Sequence, residues 1–597
     1  MALSETQLQS EITEWLDNFK NHNNRPLKVL HIGNIANNAY NNAKLMRKAG
    51  IDCDVICYDY YHIMGCPEWE DADFVGVVSN HFRPRWSDID LNHFRRPMWF
   101  AQGPLKLCIE YLIEKRNGND VKKLTIWNEL SYHNKTWKGK APLIGLLKLK
   151  YFFASIESFL RRLVSGIFNN NLIRRKIFKP FKVIMEYLGR QKKISLSKSG
   201  QKSLSYKFWS TLLVIAILFY KLCSYIYIIL YWPIKSLASL LIFLLIKRNA
   251  NKSCVLNFKK IKDKFNCSFK DRNDSLKVGD IAGYSYPLPF WKELFKHYDI
   301  VQAYSIDPII PMLAEIDYFS FEHGTLREIP FAKTGQGRLT SMAYKSSVHT
   351  FVTNYDCIAN AKLLCGENFT FINHPYDEDH GVGISNVTTY RTMLEEDLDA
   401  DFIFFFPTRH DWVSGTGSAD KANDVFIRSF NKLLLTGKRV GLICCQWGEN
   451  VSQSKKLIDE LGCSQHVKWV EPMGMIAFEK TALASDIVVD QFKLGAFGGV
   501  MFKTMSVGVP VCTYLNPELL KGLFDELPPV INCKTEEDIF NKLENLINHP
   551  STLEELGVES RMWVKTYHSG REVIEAQVKQ YMKFIDNKNV KEIKAYA

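Results

Sequence analysis

No two cysteines in this chain are spaced as CxxC, and no paired Cys/His ligand spacing is present, although fourteen cysteines occur among 597 residues. That pattern argues against a structural zinc and against a disulfide scaffold. The adjacent Cys444-Cys445 lies in a strand-like run and is expected to be buried thiol. A charged-then-apolar leader is missing from the start as well. Leu3–Phe19 reads instead as an acidic amphipathic helix, so the catalytic body is expected to stay in the cytoplasm. No nucleic-acid module is recognisable, and the net charge of +12 is therefore not assigned to a nucleic acid. Nor is any large part polar enough to read as disordered, the hydrophobic content being 46%. Short Asp-x-Asp pairs occur at Asp52/Asp54, Asp71/Asp73 and Asp88/Asp90, but such a pattern arises readily by chance and nothing beside it has metal-ligand spacing.

What is present is an alternation of short β-branched runs with helical stretches. A chain this long exceeds one ordinary core, so two domains plus an insertion are expected. Leu27–Gly33 reads as a strand, followed by a polar loop rich in Asn (Asn34, Asn37, Asn38, Asn41, Asn42), a helix over Ala43–Gly50 and a second strand, Cys53–Tyr58. The pattern resumes at Asp299–Tyr304, Tyr318–Gly324, Thr350–Thr353 and Phe369–Ile372. It starts again with Phe402–Phe406, Val440–Cys445 and Val467–Val470. Such spacing predicts two parallel, doubly wound sheets with ligands at the carboxyl ends of their strands. The aromatic run Cys57–Trp69 reads equally as packing or as the lining of a site.

The most informative segment is Asp486–Val511. Ile487-Val488-Val489 has the composition of a parallel strand covered on both faces, and Gly495, Gly498 and Gly499 let backbone approach a ligand. A helix over Val500–Val507 follows, stopped by Gly508 and Pro510, and phosphate would sit on its first amides. Met505-Ser506-Val507-Gly508-Val509-Pro510-Val511 resembles the donor-sugar motif of GT-B glycosyltransferases of the retaining family 4 type. In that motif two glutamates stand upstream, one near the donor sugar and one on the nucleotide ribose; here the positions hold Gly495 and Lys503. A charged lysine cannot accept from a ribose hydroxyl but can pair with phosphate, leaving Asp490 or Glu479 to supply the carboxylate.

The resemblance implies a site. Arg409 and Lys421 resemble the cations that clamp the diphosphate, with Gly415 and Gly417 in the loop between them adding amide donors. Asp490, Gly495, Phe497, Gly498, Gly499 and Lys503 complete the donor side. On the facing domain Glu322-His323-Gly324 with Arg327 resembles the family's Glu-His-Gly-x-x-x-Arg segment, the arginine coming one residue early. His323 can polarise a hydroxyl and Arg327 can bind phosphate bidentately. Gly33 and Asn34, with Glu322 and Arg327, form the acceptor side. The resemblance implies no cofactor and no essential metal, the nucleotide-diphosphate sugar being substrate.

Residues 141–274 fall outside the resemblance. Lys207–Ile246 is almost continuously apolar, while Leu147–Arg190 mixes apolar residues with many lysines and arginines. The strands on either side are assigned to one sheet, which excludes a single crossing. Two full spans also fit poorly, since Ser236–Ile246 rises about 17 Å against a core of roughly 30 Å. A re-entrant or interfacial hairpin with positive flanks is expected, residues 147–252 contacting an anionic membrane surface.

The expected fold is thus α/β, GT-B, with two facing Rossmann-like sheets and a helical membrane-associating insertion. Its parts are an N-terminal helix (1–25), an acceptor domain (26–140 and 275–375), the insertion (141–274), a donor domain (376–552) and a helical segment crossing back (553–597). The expected function is transfer of a sugar from a nucleotide donor to a lipid-linked or membrane-proximal glycan at the cytoplasmic face of a membrane. The alternatives are a GT-B binding protein without catalysis and another sugar-nucleotide enzyme such as an epimerase.

Overall fold

The computed structural model describes residues 9–74, 76–136, 187–191, 194, 207–208, 210–214, 257–413 and 420–596. The chain divides into two compact units, Met1–Gly139 with Asn257–Ala597, and Lys140–Leu256. In the second unit the described residues are all helical, and the expected apolar hairpin over 207–246 lies almost wholly outside them. Among the described residues no helix is long and apolar enough to cross a membrane. The insertion was expected to run to residue 274, but the first unit resumes at Asn257. The helix Phe258–Ser268 belongs to that unit, its Phe265 fully buried.

Among the described residues thirteen strands form two wholly parallel sheets. The first contains β1 (Lys28–Ile32), β2 (Asp52–Tyr58), β3 (Phe100–Gly103), β4 (Ile300–Tyr304), β5 (Phe319–Phe321), β6 (His349–Val352) and β7 (Phe369–Phe371). Its order is β3-β2-β1-β4-β5-β6-β7, so β1 pairs with β4 across the insertion. The second contains β8 (Phe402–Phe406), β9 (Val440–Cys445), β10 (Val467–Val470), β11 (Ile487–Val489), β12 (Val511–Thr513) and β13 (Ile531–Asn532). Its order is β10-β9-β8-β11-β12-β13. Both are doubly wound: the chain leaves β1 toward β2 on one side and β4 on the other, and leaves β8 toward β9 and β11 likewise. Each sheet therefore has a topological switch point, where open α/β sheets bind ligands.

The sequence alternation accounts for most of this. β8 and β9 are apolar throughout because helices cover both faces. Phe404 and Phe406 face one core and Ile403 and Phe405 another. Cys444 and Cys445 are buried thiols. β12 begins at Val511, because Pro510 has no N–H to give the ladder and contributes only its carbonyl, to Val488.

The Asn-rich stretch differs from expectation. Instead of a polar loop it forms a 3-10 turn at Ile35–Asn37 and the first turns of the helix Asn38–Lys48. The asparagines are buried by specific partners: Asn34 donates to the Gly65 carbonyl, Asn37 to the Cys66 carbonyl, Asn41 to Glu70 and Asn42 to the Tyr304 hydroxyl. The second half of the aromatic run beside it is packing, with Ile63, Cys66 and Trp69 joined to Val78 and Trp86 in one buried cluster.

The C-terminal helix Gly570–Tyr596 lies on the first sheet, where Val573, Ile574, Val578 and Tyr581 join the core formed by Val29, Val55, Phe319 and Phe351. Its Gln577 bonds Gln302 and Asn42 inside that core, and Tyr581 bonds Gln302.

Candidate functional site

At the switch point of the second sheet, Thr408 follows β8 and Asp490 follows β11. The Thr408 hydroxyl donates to Asp490 Oδ1 at 2.9 Å, whereas the buried Asp490 Oδ2 has no partner among the described residues. Burial raises the Asp490 pKa against the opposing pull of Lys421 and Thr408. Gly498 approaches so closely that a Cβ there would lie 2.4 Å from Oδ2. The glycine loop is thus shaped around this carboxylate.

Lys421 is held on three sides. Its amide donates to the Asp411 carbonyl and its carbonyl accepts from the Phe492 amide. Its ammonium donates to Gln491 Oε1 at 2.7 Å, and Gln491 Nε2 in turn donates to the Ala496 carbonyl at 2.9 Å. One amide side chain therefore ties the cation to the glycine loop. Burial lowers the Lys421 pKa; Asp490 opposes this, while Arg409 and Arg327 act with it. Lys421 thus lies within electrostatic reach of two other cations, Arg409 from the second sheet's domain and Arg327 from the first. Arg409 is half-exposed with Asp411 at 3.5 Å, leaving most of its fork open. Arg327 holds Asp356 bidentately at 2.6 and 3.0 Å.

Gly495 has φ +71°, and its carbonyl accepts from the Tyr355 hydroxyl of the first domain. The Phe497 ring packs between Tyr355 and Trp563, at 5.4 and 6.2 Å, and so anchors the loop. Gly499 opens the helix Gly499–Ser506 with clear space around it.

Opposite, His323 follows β5. Asn38 Nδ2 donates to His323 Nδ1 at 2.9 Å, and Asn38 Oδ1 accepts from His374 Nδ1 at 3.1 Å. Burial pushes His323 down to about 4, so the ring is neutral at physiological pH with its proton on Nε2. His323 meets His374 edge-on at 5.4 Å, and His374 stacks on Phe502 of the donor-side helix at 6.1 Å. A chain of rings therefore joins the two sides.

No family model matches the chain, and no curated protein matches it. Several solved glycosyltransferase structures are similar to it. Anabaena HepE in complex with UDP and glucose is 14% identical over 51% of this chain and 83% of its own, with a TM-score of 0.41. A glycosyltransferase from Rickettsia africae is 12% identical over 51% and 82%, with a TM-score of 0.40. Sucrose-phosphate synthase from Thermosynechococcus elongatus is 13% identical over 51% and 79%, with a TM-score of 0.37.

Several residues expected at the site are engaged elsewhere. Glu322 points inward, its carboxylate accepting from the Thr353 and Asn354 amides and the Asn354 side chain, and burial raises its pKa. It clamps the ends of β5 and β6 and does not reach the acceptor side. Asn34 is consumed by its own turn, bonding Asn37, Gly65 and the Tyr40 amide. Lys503 lies 3.9 Å from buried Glu70 of the first domain and 5.8 Å over the Tyr376 ring. Glu479 is closed off by Tyr376 and His380, leaving Asp490, with its buried Oδ2 unpartnered among the described residues, as the carboxylate beside the glycine loop. Gly415 and Gly417 lie outside the described residues.

The Asp-x-Asp pairs are also structural. Asp52 and Asp54 pair with Arg116, and Asp71 takes Lys44, Tyr40 and His380. Sequence reasoning missed Asn38, Thr408 and Gln491. Their common signal, a polar residue within a few positions of a strand's carboxyl end, was present but was not used for amides and hydroxyls.

Proposed function

We propose that the chain is a GT-B glycosyltransferase that transfers a hexose, with retention, from a nucleotide-diphosphate sugar to a lipid-linked or membrane-proximal glycan in polysaccharide synthesis. The observation that carries this is the buried Lys421 near the β8/β11 switch point, tied through Gln491 to a glycine loop and within electrostatic reach of Arg409 and Arg327. Breaking a bond to a diphosphate needs stabilisation of the leaving charge, and pre-placed cations and N–H groups supply it. Asp490 accepts from a donor hydroxyl, and neutral His323 donates from Nε2 to a sugar oxygen. No metal or other cofactor takes part. The catalytic domains face the cytoplasm, attached to anionic lipid through residues 147–252.

The test is binding and turnover by the purified full chain, beginning with UDP and UDP-glucose, the ligands in the HepE structures. Saturable donor binding, with slow hydrolysis that Lys421→Ala lowers at least a hundredfold and EDTA leaves unchanged, is expected. Absence of binding and turnover across a broad donor panel would remove the reading. A second reading, a donor-binding protein without catalysis, is favoured by Lys503, which sits where the family has glutamate and faces Glu70. Binding without turnover would select it.

A further inference from the structure

The first sheet has its own switch point, between β1 and β4, and a carboxylate stands there that no expectation included. Asp307 follows β4 by three residues. Its Oδ1 accepts the hydroxyl of Tyr58, the last residue of β2. Among the described residues no hydrogen bond to its Oδ2 is found, and the residue is half-buried.

The backbone is shaped to put it there. Ser305, immediately after β4, has φ +56°, a conformation that an L side chain adopts only when its surroundings hold it. Those surroundings are explicit: its amide donates to the Phe321 carbonyl, its hydroxyl accepts from Thr325, and its carbonyl accepts from the Tyr344 hydroxyl. The turn then brings the Asp307 carboxylate over Gly33 at the end of β1. A Cβ on Gly33, which has φ +86°, would lie 2.2 Å from Oδ2. The glycine at this position thus makes room for a carboxylate, the same relation that Gly498 bears to Asp490 in the other sheet. Each sheet presents one aspartate over one glycine at its switch point.

We infer that Asp307, braced by Tyr58, is the hydroxyl-accepting group of the acceptor subsite, and that the ligand it takes is a sugar or polyol hydroxyl. The inference rests on the transferase reading for its role in a reaction, but the binding site itself does not depend on it. Burial lifts Asp307 to about 7, with the Tyr58 hydroxyl pulling the other way. The other titratable groups acting here are Cys57, Tyr284 and Asp59; burial raises the thiol and both tyrosines, so none of the three ionises near neutrality. Glycoside binding through the ionised carboxylate should therefore strengthen as pH rises through about 7.

The test uses the full chain saturated with UDP and an equimolar mixture of methyl glucoside, galactoside and mannoside, observed by saturation-transfer NMR. Wild type is expected to bind at least one glycoside, more strongly at pH 8 than at pH 6. Asp307→Asn, nearly isosteric, should weaken that binding at least tenfold and flatten its pH dependence while leaving UDP affinity unchanged. Tyr58→Phe keeps the carboxylate and should weaken binding less. Wild-type binding by Asp307→Asn would overturn the inference, as would a wild-type protein that binds none of the glycosides. UDP affinity, measured separately, reports on the donor reading and leaves the glycoside comparison intact.

Discussion

Asp490 carries a cost in stability. A buried carboxylate oxygen without a partner destabilises a fold by roughly 1–3 kcal/mol or more, and Asp490 Oδ2 is such an atom. Asp490→Asn keeps the shape and an oxygen for Thr408 while removing the charge. If the residue served packing alone, this change would be neutral or favourable in every assay. The expected outcome is a melting temperature equal to or above wild type together with at least a tenfold loss of UDP-glucose affinity, about 1.4 kcal/mol, read by calorimetric melting and titration. Lys503 gives the opposite case. Introducing the glutamate of the resembled motif by Lys503→Glu would place a carboxylate beside Glu70, which is 4% exposed. Replacing attraction by repulsion there costs about 1–4 kcal/mol, so the melting temperature should fall, and Glu70→Gln in the same chain should restore most of it. A rise in donor affinity on Lys503→Glu would instead mean that the lysine occupies a ribose site.

At the scale of elements, the helices that meet between the two sheets are fastened by an ionic bridge. His380, in the crossover after β7, donates through one ring nitrogen to Glu479 on the helix Met475–Leu483 and through the other to Asp71 at the end of the helix Pro67–Asp71. Burial opposes its charge, but the two carboxylates outweigh this and raise it from 6.5 to about 9. Because the folded pKa exceeds the unfolded one, the bridge is complete below about 6.5 and is lost as pH rises through about 9. That shift corresponds to on the order of 3 kcal/mol. Asp71, held well below the carboxylate range despite burial, extends the bridge toward acid. His380→Gln should therefore lower the melting temperature most near pH 6, with the gap to wild type closing above pH 9. A gap that does not change with pH would contradict the bridge. This element was illegible in the sequence, because its members stand at residues 71, 380 and 479 and no local pattern links them. The strands were legible wherever β-branched and aromatic runs were long enough. β3 and β13 were not, the first ending in Gly103 and the second having only two residues. The Asn-rich turn misled for a related reason: its polarity is satisfied by tertiary partners, which local composition does not reveal.

At the scale of the whole molecule, the two parallel sheets were readable from strand spacing, whereas the grouping of Arg409, Lys421 and the Gly495–Gly499 loop came from the resemblance. Which side chains face one another was not readable: Glu322 and Asn34 turned out to be internal, and Asn38, Gln491 and Asp307 took their places beside the strand ends. The membrane claim rests on sequence alone and makes the last prediction. β1 and β4 are neighbours in one sheet, so whatever lies between them must begin and end on one side of any bilayer. Lys207–Ile246 supplies apolar length and its flanks supply positive charge, each cation contributing on the order of 1 kcal/mol near anionic lipid. Attachment by both terms has a distinct signature, since salt screens the second and not the first. On vesicles of mixed phosphatidylcholine and phosphatidylserine, the full chain should stay bound at high salt. A chain lacking 207–246 should bind only at low salt, and only when phosphatidylserine is present. Because the deletion joins residues outside the first unit, UDP binding should persist, which separates lost attachment from a damaged fold. A deleted chain that remains on neutral vesicles at high salt would refute this assignment and move the anchor elsewhere in the molecule.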